Sequence, residues 1–404
     1  MNVWLLLCGF CLAWIFYAYF GYPMLLLFLA ALRRYKTPAG LPDEQLPSFR
    51  MLIPAYNEEA VLAHKLETAL ALDYPPGKFC ITVVSDRSTD DTDRIARSFL
   101  SANSNLRFIR NEDQKGKIRT ISDLGATVSE DILLITDANA IFARDALRRL
   151  AAYFADPQVG IVNGNRTLKA SQSMAGLGEA LYWRYETALK QAESRITSNA
   201  FIQGAMTAIR SELFTPIPGE LEFDHVLPLH VVNQGKRVVF AGDAHFSEDT
   251  APDSAAEWKV RVRNAVRGFT MVREMGQWID IRRHTGFVFH VWSRKVLRWL
   301  VGLPAIGLFV FSAPMLGMPL LRWIFLMQAA FYLVVLCGWL AETHGVRLKL
   351  AVIPYYFCLV NAATLVGFFR AMRGQRMATW GTTRAAEQPK DPILAGTETH
   401  TKHP

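Results

Sequence analysis

Oxygen-bearing side chains follow three apolar stretches of this sequence. ILLIT runs directly into Asp137, and Asn139 stands two residues further on. FCITVVS runs into Asp86, and FRMLIPA is followed by Glu58 after two intervening residues. Carboxylate and amide oxygens suit Mg²⁺ or Mn²⁺, ions that usually bind substrate phosphates as well. Asp137 and Asn139 taken alone would also be explained as turn residues at the end of a strand.

The elements that would position these side chains alternate regularly. Apolar stretches predict strands, and segments of helical periodicity lie between them, at 59–72, 89–100, 117–127 and 144–154. A strand and the loop after it are predicted in 49–59, and further strands at 79–86, 106–110, 131–139 and 159–164. This alternation predicts an α/β fold with a mostly parallel sheet and helices on both faces. Ligands of such sheets bind beyond the carboxyl ends of the strands, so the oxygen-bearing side chains should gather there. Carboxylates crowded at one edge need a cation or hydrogen-bond donors, which favours the metal interpretation.

Apolar segments flank this domain on both sides. Residues 3–32 carry no charge and are long enough to cross a bilayer. A signal peptide is the less consistent interpretation, because the apolar run is long and no basic region precedes it. Three more candidate spans follow at 299–317, 319–341 and 351–369. The predicted organisation is an N-terminal transmembrane helix in 1–36, a soluble domain in 43–283, an amphipathic interfacial helix in 284–298, a transmembrane block in 299–371 and a disordered tail in 385–404.

The basic residues beside the spans give two conflicting orientations. Cytoplasmic flanks are enriched in Lys and Arg. The first span is followed by Arg33, Arg34 and Lys36, so the soluble domain is expected in the cytoplasm of a multi-pass inner-membrane protein. Three further crossings would put the tail outside, whereas the last span is followed by Arg370, Arg373 and Arg376. A re-entrant segment in the C-terminal block would remove the conflict.

Composition argues against two other classes of protein. The net charge of +8 is modest, and the basic residues crowd near membrane segments, where anionic lipid is a simpler partner than nucleic acid. A transporter would need polar residues inside its spans, and the spans have almost none apart from Arg322 and Asn361. The five cysteines show neither disulfide nor metal-ligand spacing.

Four motifs in a fixed order give the chain a specific resemblance. They are IPAYNEE (53–59), SDRSTDDT (85–92), DAN (137–139) and EFDHVLPL (222–229). In this order the chain resembles the family-two membrane glycosyltransferases of GT-A fold, which include bacterial poly-N-acetylglucosamine, cellulose and hyaluronan synthases. The resemblance covers about residues 1–384 and includes WGTTR (380–384), which is similar to a short gating motif of hyaluronan synthases.

The resemblance implies roles for the matching positions. Ala55, Tyr56 and Glu58 would line the nucleotide pocket, and Asp86 would hydrogen-bond uracil. Asp137 and Asn139 stand where the family has its Asp-x-Asp metal motif, and the neutral amide of Asn139 should weaken the site somewhat. The remaining implied contacts are Lys117 near the nucleotide, and Gln203 and Gly204 in the acceptor pocket.

Asp224 matches the family's catalytic base. Direct displacement at the anomeric carbon needs one carboxylate to take the acceptor's proton, and it inverts the configuration. A binding module without chemistry would need no base at this position. Glu222 is expected to be a solvated charge, and His225 a packing residue rather than a base.

The segment 258–268 departs from the family pattern. The family usually has Gln-x-x-Arg-Trp here, and this chain has Asn264, Arg267 and Gly268 at the corresponding spacing. In a helix, Lys259, Arg263 and Arg267 would share one face, and the two arginines could hold a diphosphate. The missing tryptophan removes an aromatic platform beside the acceptor sugar of processive members, which argues against a long product.

The sequence therefore predicts an inverting membrane glycosyltransferase that uses Mg²⁺ or Mn²⁺. Its donor would be a UDP-sugar and its acceptor a growing envelope or extracellular polysaccharide. The alternative is transfer of a single sugar to a polyprenyl phosphate or another lipid-linked acceptor. Membrane lipids are expected partners, nucleic acid is not, and a second copy or an export partner could complete a channel.

Overall fold

A computed structural model describes residues 2–33, 36–167, 174–248, 254–344, 346 and 348–376. Arg34, the WGTTR segment and the predicted disordered tail lie outside these residues. Eight strands are present in the described part. They are β1 (Phe49–Ala55), β2 (Phe79–Ser85), β3 (Leu106–Arg110), β4 (Ile132–Thr136), β5 (Ile141–Phe142), β6 (Val159–Thr167), β7 (Met206–Arg210) and β8 (Arg237–Ser247).

The helices of the described residues fall into a group that belongs to the sheet domain and a group of apolar segments. The first group is α3 (Glu59–Leu70), α4 (Thr92–Ser98), α5 (Lys117–Gly125), α6 (Ala146–Tyr153), α7 (Met174–Ile196), α8 (Phe223–Asn233) and α9 (Ser254–Glu274). The second is α1 (Val3–Phe16), α2 (Tyr22–Ala31), α10 (Thr285–Val291), α11 (Leu297–Trp299), α12 (Gly302–Ser312), α13 (Pro319–Thr343) and α14 (Val352–Met372). Short π-helical turns join α1 to α2 and α10 to α11.

The strands form one sheet in the order β3-β2-β1-β4-β7-β6-β8-β5. Parallel pairing joins β3, β2, β1 and β4, and it also joins β6 to β8. β7 lies antiparallel between β4 and β6, and β5 pairs antiparallel with β8. The predicted α/β fold is confirmed. The sheet is mixed rather than almost wholly parallel, because β7 and β5, which the sequence analysis did not predict, run against their neighbours.

Both faces of the sheet are buried. In β4, Ile132 and Leu134 belong to one apolar cluster, and Leu133 and Ile135 belong to the cluster on the other face. α3 and α6 cover the first face, and α5 and α8 cover the second. Side chains of a strand alternate between faces, so continuous apolar runs such as ILLIT are what a two-sided core requires.

In the part of the chain that the structure describes, three helices are long and apolar enough to cross a membrane: Val3–Ala31, Pro319–Thr343 and Lys349–Met372. A fourth candidate is a pair of helices, Thr285–Trp299 and Gly302–Met315, bent by 54° at the break between them. The sequence had predicted a span here for 299–317 alone, without the helix that begins at Thr285. The prediction that 284–298 lies at the membrane interface stays a prediction; in the structure Phe287 and Val291 are buried inside the protein.

The bent pair runs antiparallel along the first helix. Near its start, the Nδ1 atom of His290 hydrogen-bonds the Tyr22 hydroxyl. At its end, the Met315 sulfur accepts a hydrogen bond from Asn2 at 3.3 Å. The bent pair therefore follows the first helix over most of its length.

The last helix, α14, lies alongside α9 of the sheet domain. A Cβ on Gly367 would stand 2.4 Å from the Cβ of Ala265, so the two helices touch where the glycine removes the side chain. Just beyond α14, Arg376 forms ion pairs with Glu220 and with Glu274, the latter at 2.9 Å. The end of the described chain is thus held against the sheet domain.

Candidate active site

The predicted oxygen-bearing side chains meet at one edge of the sheet. β1, β2 and β4 are parallel, so Glu58, Asp86 and Asp137 all follow carboxyl ends at the same edge. β7 starts opposite the end of β4, because Met206 pairs with Thr136. Antiparallel pairing therefore brings the residues just before β7 to this edge as well.

Asp86 is fully buried and holds the loop that precedes α5. Its carboxylate accepts hydrogen bonds from the backbone N–H groups of Lys115 and Gly116, at 2.9 and 2.7 Å. It also accepts from Asn111 at 2.8 Å and from Thr120 at 3.3 Å. A carboxylate has about four lone-pair sites, so a uracil could bond to Asp86 only by displacing one of these donors. The predicted contact with uracil stays a prediction.

The loops after β1 and β2 are tied to each other. The side-chain oxygen of Asn57 accepts from the backbone of Thr89 at 2.8 Å, and the Ser88 hydroxyl accepts from the backbone of Asn57 at 3.2 Å. Asn57 has a φ of 54°, a left-handed conformation that asparagine tolerates. Ala55 is fully buried beneath this loop, so only its backbone could line a nucleotide pocket.

A cleft of about 80 Å³ opens beside these loops. Lys117, at the start of α5, donates a hydrogen bond to the Asp137 carboxylate across the cleft. Burial disfavours the Lys117 ammonium, but the carboxylate of Asp137 outweighs burial and the pKa of Lys117 is raised. The residues that line the cleft are Lys117, Ile118, Ile121, Ile135, Asp137, Gly204, Glu222, Phe223 and Asp224.

Asp224 lies in the first turn of α8 and faces the same cleft. Burial, reinforced by the nearby charge of Glu222, raises the pKa of the Asp224 carboxyl to about 7. Gly204 lies directly against it, and a Cβ on Gly204 would stand 3.1 Å from Oδ1 of Asp224. The same Cβ would stand 3.9 Å from Nζ of Lys117. A carboxyl group with a pKa near 7 is well matched to proton transfer at neutral pH.

Two arginines of α9 interact with carboxylates that line the cleft. Arg267 is buried and forms an ion pair with Glu222. The expectation that Glu222 is a solvated charge is therefore wrong, because the arginine draws its carboxylate inward. Arg263 lies one turn earlier; burial lowers the pKa of its guanidinium, and its Nε has no hydrogen-bond partner within the described chain. Lys259, predicted on the same face, is exposed.

Asn139 hydrogen-bonds Glu248, a residue that the sequence analysis missed. Glu248 follows β8 directly, and pairing of β8 with β5 brings it to the loop that carries Asp137. Burial and the neighbouring carboxylate of Asp137 raise the pKa of Glu248. Within the described ranges, no group of three or more His, Cys, Asp and Glu side chains is arranged to hold a metal ion. Asp137, Asn139 and Glu248 nevertheless supply hard oxygen atoms, and a Mg²⁺ or Mn²⁺ site is normally completed by water and substrate phosphate.

A buried lysine supports the Asp137 loop from below. Nζ of Lys65, in the middle of α3, donates to the Thr136 hydroxyl at 3.1 Å and to the Ala140 carbonyl at 2.5 Å. Burial lowers the pKa of Lys65 to about 7. The burial of Lys65 could have been predicted from the sequence, because Lys65 stands on the apolar face of α3 with Leu62 and Ala69.

Gln203 directly precedes Gly204 of the cleft, and its predicted contact with the acceptor stays a prediction. Its backbone N–H donates to Asn163 at 3.2 Å, and its side-chain oxygen accepts from Lys190 of α7 at 2.9 Å. Lys190 is buried, and burial lowers its pKa to about 8.

Aromatic rings pack around His225, the residue after Asp224, and form a cluster that we call the aromatic wall. His225 packs edge-on against Phe201, with ring centroids 5.1 Å apart, and against Trp299 at 5.8 Å. Burial lowers the pKa of His225 to about 4, so it is neutral at pH 7. A Cβ on Gly268 would stand 2.7 Å from the Trp299 ring. The space beside Gly268, where the sequence pattern lacks a tryptophan, is thus filled by a tryptophan from α11.

The family model described as "Glycosyltransferase like family 2" matches residues 47–270, which is more than half of the chain. The chain belongs to this family. The matched region runs from just before β1 to the C-terminal part of α9 and contains every predicted site residue of this glycosyltransferase. The resemblance inferred from the four motifs is confirmed.

Known relatives of this glycosyltransferase match it in part. A beta-monoglucosyldiacylglycerol synthase of Synechocystis sp. is 30% identical over 124 residues, which are 30% of this chain and 26% of that protein. An N-acetylglucosaminyltransferase of Rhizobium meliloti is 26% identical over 216 residues, 49% of this chain and 50% of that protein. The chain thus spans about a quarter to a half of the length of these relatives.

A mannosyltransferase from Pyrobaculum calidifontis, solved in complex with GDP-Man and Mn²⁺, has a similar fold. The TM-score is 0.68 at 21% identity, and the match covers 91% of this chain and 99% of that one. The predicted GT-A fold is confirmed by this likeness.

Proposed function

We propose that this glycosyltransferase moves a sugar, with inversion, from a nucleoside diphosphate sugar to a hydroxyl group of a membrane-borne acceptor. The observation that carries the proposal is the cleft itself. It brings a carboxyl group of pKa about 7, Asp224, to the same small space as the Lys117–Asp137 pair. A general base and groups for a diphosphate are what a single displacement at the anomeric carbon requires.

The chemistry follows from the positions of these groups. The acceptor oxygen attacks the anomeric carbon as the bond from that carbon to the diphosphate breaks. Asp224 takes the hydroxyl proton, and Gly204 leaves room for the acceptor beside its carboxylate. Lys117 and Arg263 stabilise the negative charge that develops on the leaving diphosphate, because Lys117 lines the cleft and Arg263 interacts with its Asp137 and Glu222 carboxylates. One displacement without a covalent intermediate inverts the anomeric centre.

Asp137, Asn139 and Glu248 would hold the divalent metal. The fit rests on their oxygen donors and on the burial of Glu248 beside the Asp137 carboxylate, which together raise the pKa of Glu248 and which a bound cation would offset. When bound, Mg²⁺ or Mn²⁺ acts as a Lewis acid toward the diphosphate. Activity is therefore expected to need the metal.

A lipid-linked acceptor is the acceptor class that we favour. The aromatic wall around His225 includes Trp299, which belongs to the segment that packs along the first apolar helix. The acceptor side of the cleft is thus built partly from membrane-proximal sequence. The beta-monoglucosyldiacylglycerol synthases among the relatives support an acceptor of this kind.

A polysaccharide acceptor is the second candidate. Trp299 favours it, because its ring fills the space beside Gly268, where the family pattern has the tryptophan that lies beside the acceptor sugar. Size analysis of the product from a radiolabelled donor separates the two candidates. A high-molecular-weight, glycosidase-sensitive product supports the polysaccharide, and a single labelled sugar that partitions into organic solvent supports the lipid.

We propose that the sheet domain and the end of α14 share the cytoplasmic side. The ion pairs of Arg376 with the sheet domain support this, as do the basic residues after the first and last apolar helices. Two membrane crossings are then needed between the sheet domain and the end of α14. The bent pair and α13 are the better candidates, since α14 packs lengthwise on α9. Single cysteines at Gly317 and Gln375 test this in a cysteine-free background: only Gly317→Cys should react with an impermeant thiol reagent added outside.

The experiment that tests the activity uses the purified full chain in nanodiscs with a panel of UDP- and GDP-sugars. Release of UDP or GDP is measured with and without candidate acceptors. Release that needs Mg²⁺ or Mn²⁺ and is lost in Asp224→Asn supports the proposal. An absence of nucleotide binding and of release with every donor would overturn it.

A further inference from the structure

A cluster of buried charges lies behind the acceptor side of the cleft. We define the α7 ion cluster as Glu186 and Glu193 of α7 together with Arg294, Lys295 and Arg298 of the segment from the π-helical turn to α11. Glu186 contacts Arg294 at 2.8 Å, Arg298 at 2.7 Å and Lys295 at 3.9 Å. Glu193 contacts Arg294 at 2.6 Å.

Positive charge exceeds negative charge in this region. Three cations of the α7 ion cluster face two carboxylates, and Lys190 lies on α7 between those carboxylates. Lys190 has no ion pair within 4.0 Å in the described chain; its described hydrogen-bond partner is Gln203, and the rings of Trp183 and Phe240 lie 5.7 and 5.5 Å away. Lys295 lies over the ring of Phe201 at 5.3 Å. Glu186 and Glu193 interact favourably with the Lys190 ammonium, but both carboxylates are already paired with Arg294. An excess of buried positive charge is costly, so an anion is expected to complete the site.

The two lysines border the acceptor side of the site. The charge of Lys190 interacts with Asp224, and Lys190 also holds Gln203. Lys295 interacts with Lys190 and touches the aromatic wall through Phe201. An anionic group bound between these lysines would therefore sit on the same molecule as the hydroxyl that Asp224 deprotonates.

The surroundings of the lysines are membrane-proximal. Leu189 and Ala192, next to Lys190 on α7, pack against Leu26 and Ala30 of the first apolar helix. The π-helical turn that carries Lys295 also holds Ser293, which hydrogen-bonds Tyr17 of that helix at 2.9 Å. A ligand that contacts both lysines would therefore lie next to the first apolar helix.

We propose that the acceptor is a phosphate-bearing lipid, whose phosphate is held by Lys190 and Lys295 while its sugar or glycerol hydroxyl is presented to Asp224. This inference rests on the proposed function and names its acceptor class. The acceptor oxygen bonds to the anomeric carbon, the nucleoside diphosphate leaves and Asp224 receives the proton. The lipid phosphate takes no part in bond making or breaking.

The test compares three acceptors in nanodiscs that contain the full chain. They are a polyprenyl-diphosphate-linked monosaccharide, phosphatidylglycerol and diacylglycerol, which has a hydroxyl group but no phosphate. We expect transfer to at least one phosphate-bearing lipid, with a KM that rises about tenfold or more in Lys190→Met and in Lys295→Met. Lys190→Arg keeps the charge and should restore much of the affinity. The affinity for the nucleotide should not change in these variants.

Controls separate acceptor binding from folding. Lys190→Met removes a buried charge whose neighbouring carboxylates, Glu186 and Glu193, stay paired with Arg294, so its melting temperature should remain close to that of the parent. Lys236→Met is the matched control, because Lys236 bonds the carbonyl of Pro157 before the start of β8, at the opposite end of that strand from Glu248. Inorganic phosphate at millimolar concentration should inhibit weakly, whereas a site for free phosphate would be blocked by it.

The outcomes distinguish the two proposals. If diacylglycerol is used as well as the phosphate-bearing lipids and the lysine variants transfer normally, the acceptor inference is wrong while glycosyl transfer stands. If no acceptor supports release, binding of the radiolabelled phosphate-bearing lipids to parent and Lys190→Met protein decides the inference. Equal binding to both overturns it, and weaker binding to the variant supports it.

Discussion

Glu222→Gln should move the pH profile of this enzyme to lower pH without removing its base. The pKa of the Asp224 carboxyl is about 7, against an ordinary value of 3.8, and the charge of Glu222 is the second cause of this rise after burial. The base works only when deprotonated, so kcat/KM falls as the pH drops below the pKa of Asp224 in the free enzyme. Removal of the Glu222 charge makes the Asp224 carboxylate easier to form.

The expected size of the pH shift is estimated from the repulsion between the charges of Glu222 and Asp224. Two unit charges about 12 Å apart interact by about 1.4 kcal/mol at an effective dielectric constant of about 20, which corresponds to about one pH unit. Glu222 and Asp224 line the same small cleft, which strengthens their repulsion, and Arg267 beside Glu222 screens it. We therefore expect the acidic limb of the profile to move down by about one pH unit.

The assay is release of the nucleoside diphosphate at low donor concentration from about pH 5 to about pH 9, a range that brackets the raised pKa of Asp224. Glu220→Gln is the matched control, because Glu220 lies two residues away and pairs with Arg376 outside the cleft. Asp224→Asn should bind nucleotide normally and lose about 10² to 10⁴-fold in transfer. If the acidic limb of the pH profile does not move in Glu222→Gln, the electrostatic argument is refuted. If Glu222→Gln loses transfer completely, Glu222 is the base.

Three further changes test other parts of the site. Asp137→Ala, or chelation of metal by EDTA, should lower turnover by several orders of magnitude, and a marginal loss would remove Asp137 from the metal site. Gly204→Ala should reduce kcat about tenfold or more at an unchanged melting temperature, because the new methyl would stand 3.1 Å from Oδ1 of Asp224; Gly40→Ala, where nothing lies within 4 Å, is the control. Lys65→Met should raise the Mn²⁺ concentration for half-maximal activity several-fold, and an unchanged Mn²⁺ dependence would show that Lys65 does not position the Asp137 loop.

The sequence predicted the parallel half of the sheet well and the rest poorly. β3 and the helix after β1 follow local apolar patterns, and their ends were predicted within two residues. β7 and β8 were missed, because their position depends on pairing with distant strands rather than on local pattern. The residues beside β7 and β8 that lie at the cleft edge of the sheet, including Glu248, were missed for the same reason.

The site residues show the same division. Asp137 and Asp224 were found because they stand in recognisable motifs at the ends of elements. Glu222 was misjudged, because its partner Arg267 is 45 positions away and only the fold brings them together. Lys65 could have been found, since a lysine on the apolar face of a helix must be paired or hydrogen-bonded.

The contact between Gly268 and Trp299 also constrains how this protein can evolve. The space between α8 and α9 holds one large aromatic ring, which either position 268 or position 299 can supply. A tryptophan at position 268 would collide with the ring already present, since the Cβ alone would stand 2.7 Å from it. Among homologues the two positions should therefore covary, with a bulky residue at one accompanied by a small residue at the other. A lineage can pass from one arrangement to the other only through an intermediate in which this space is either empty or overfilled.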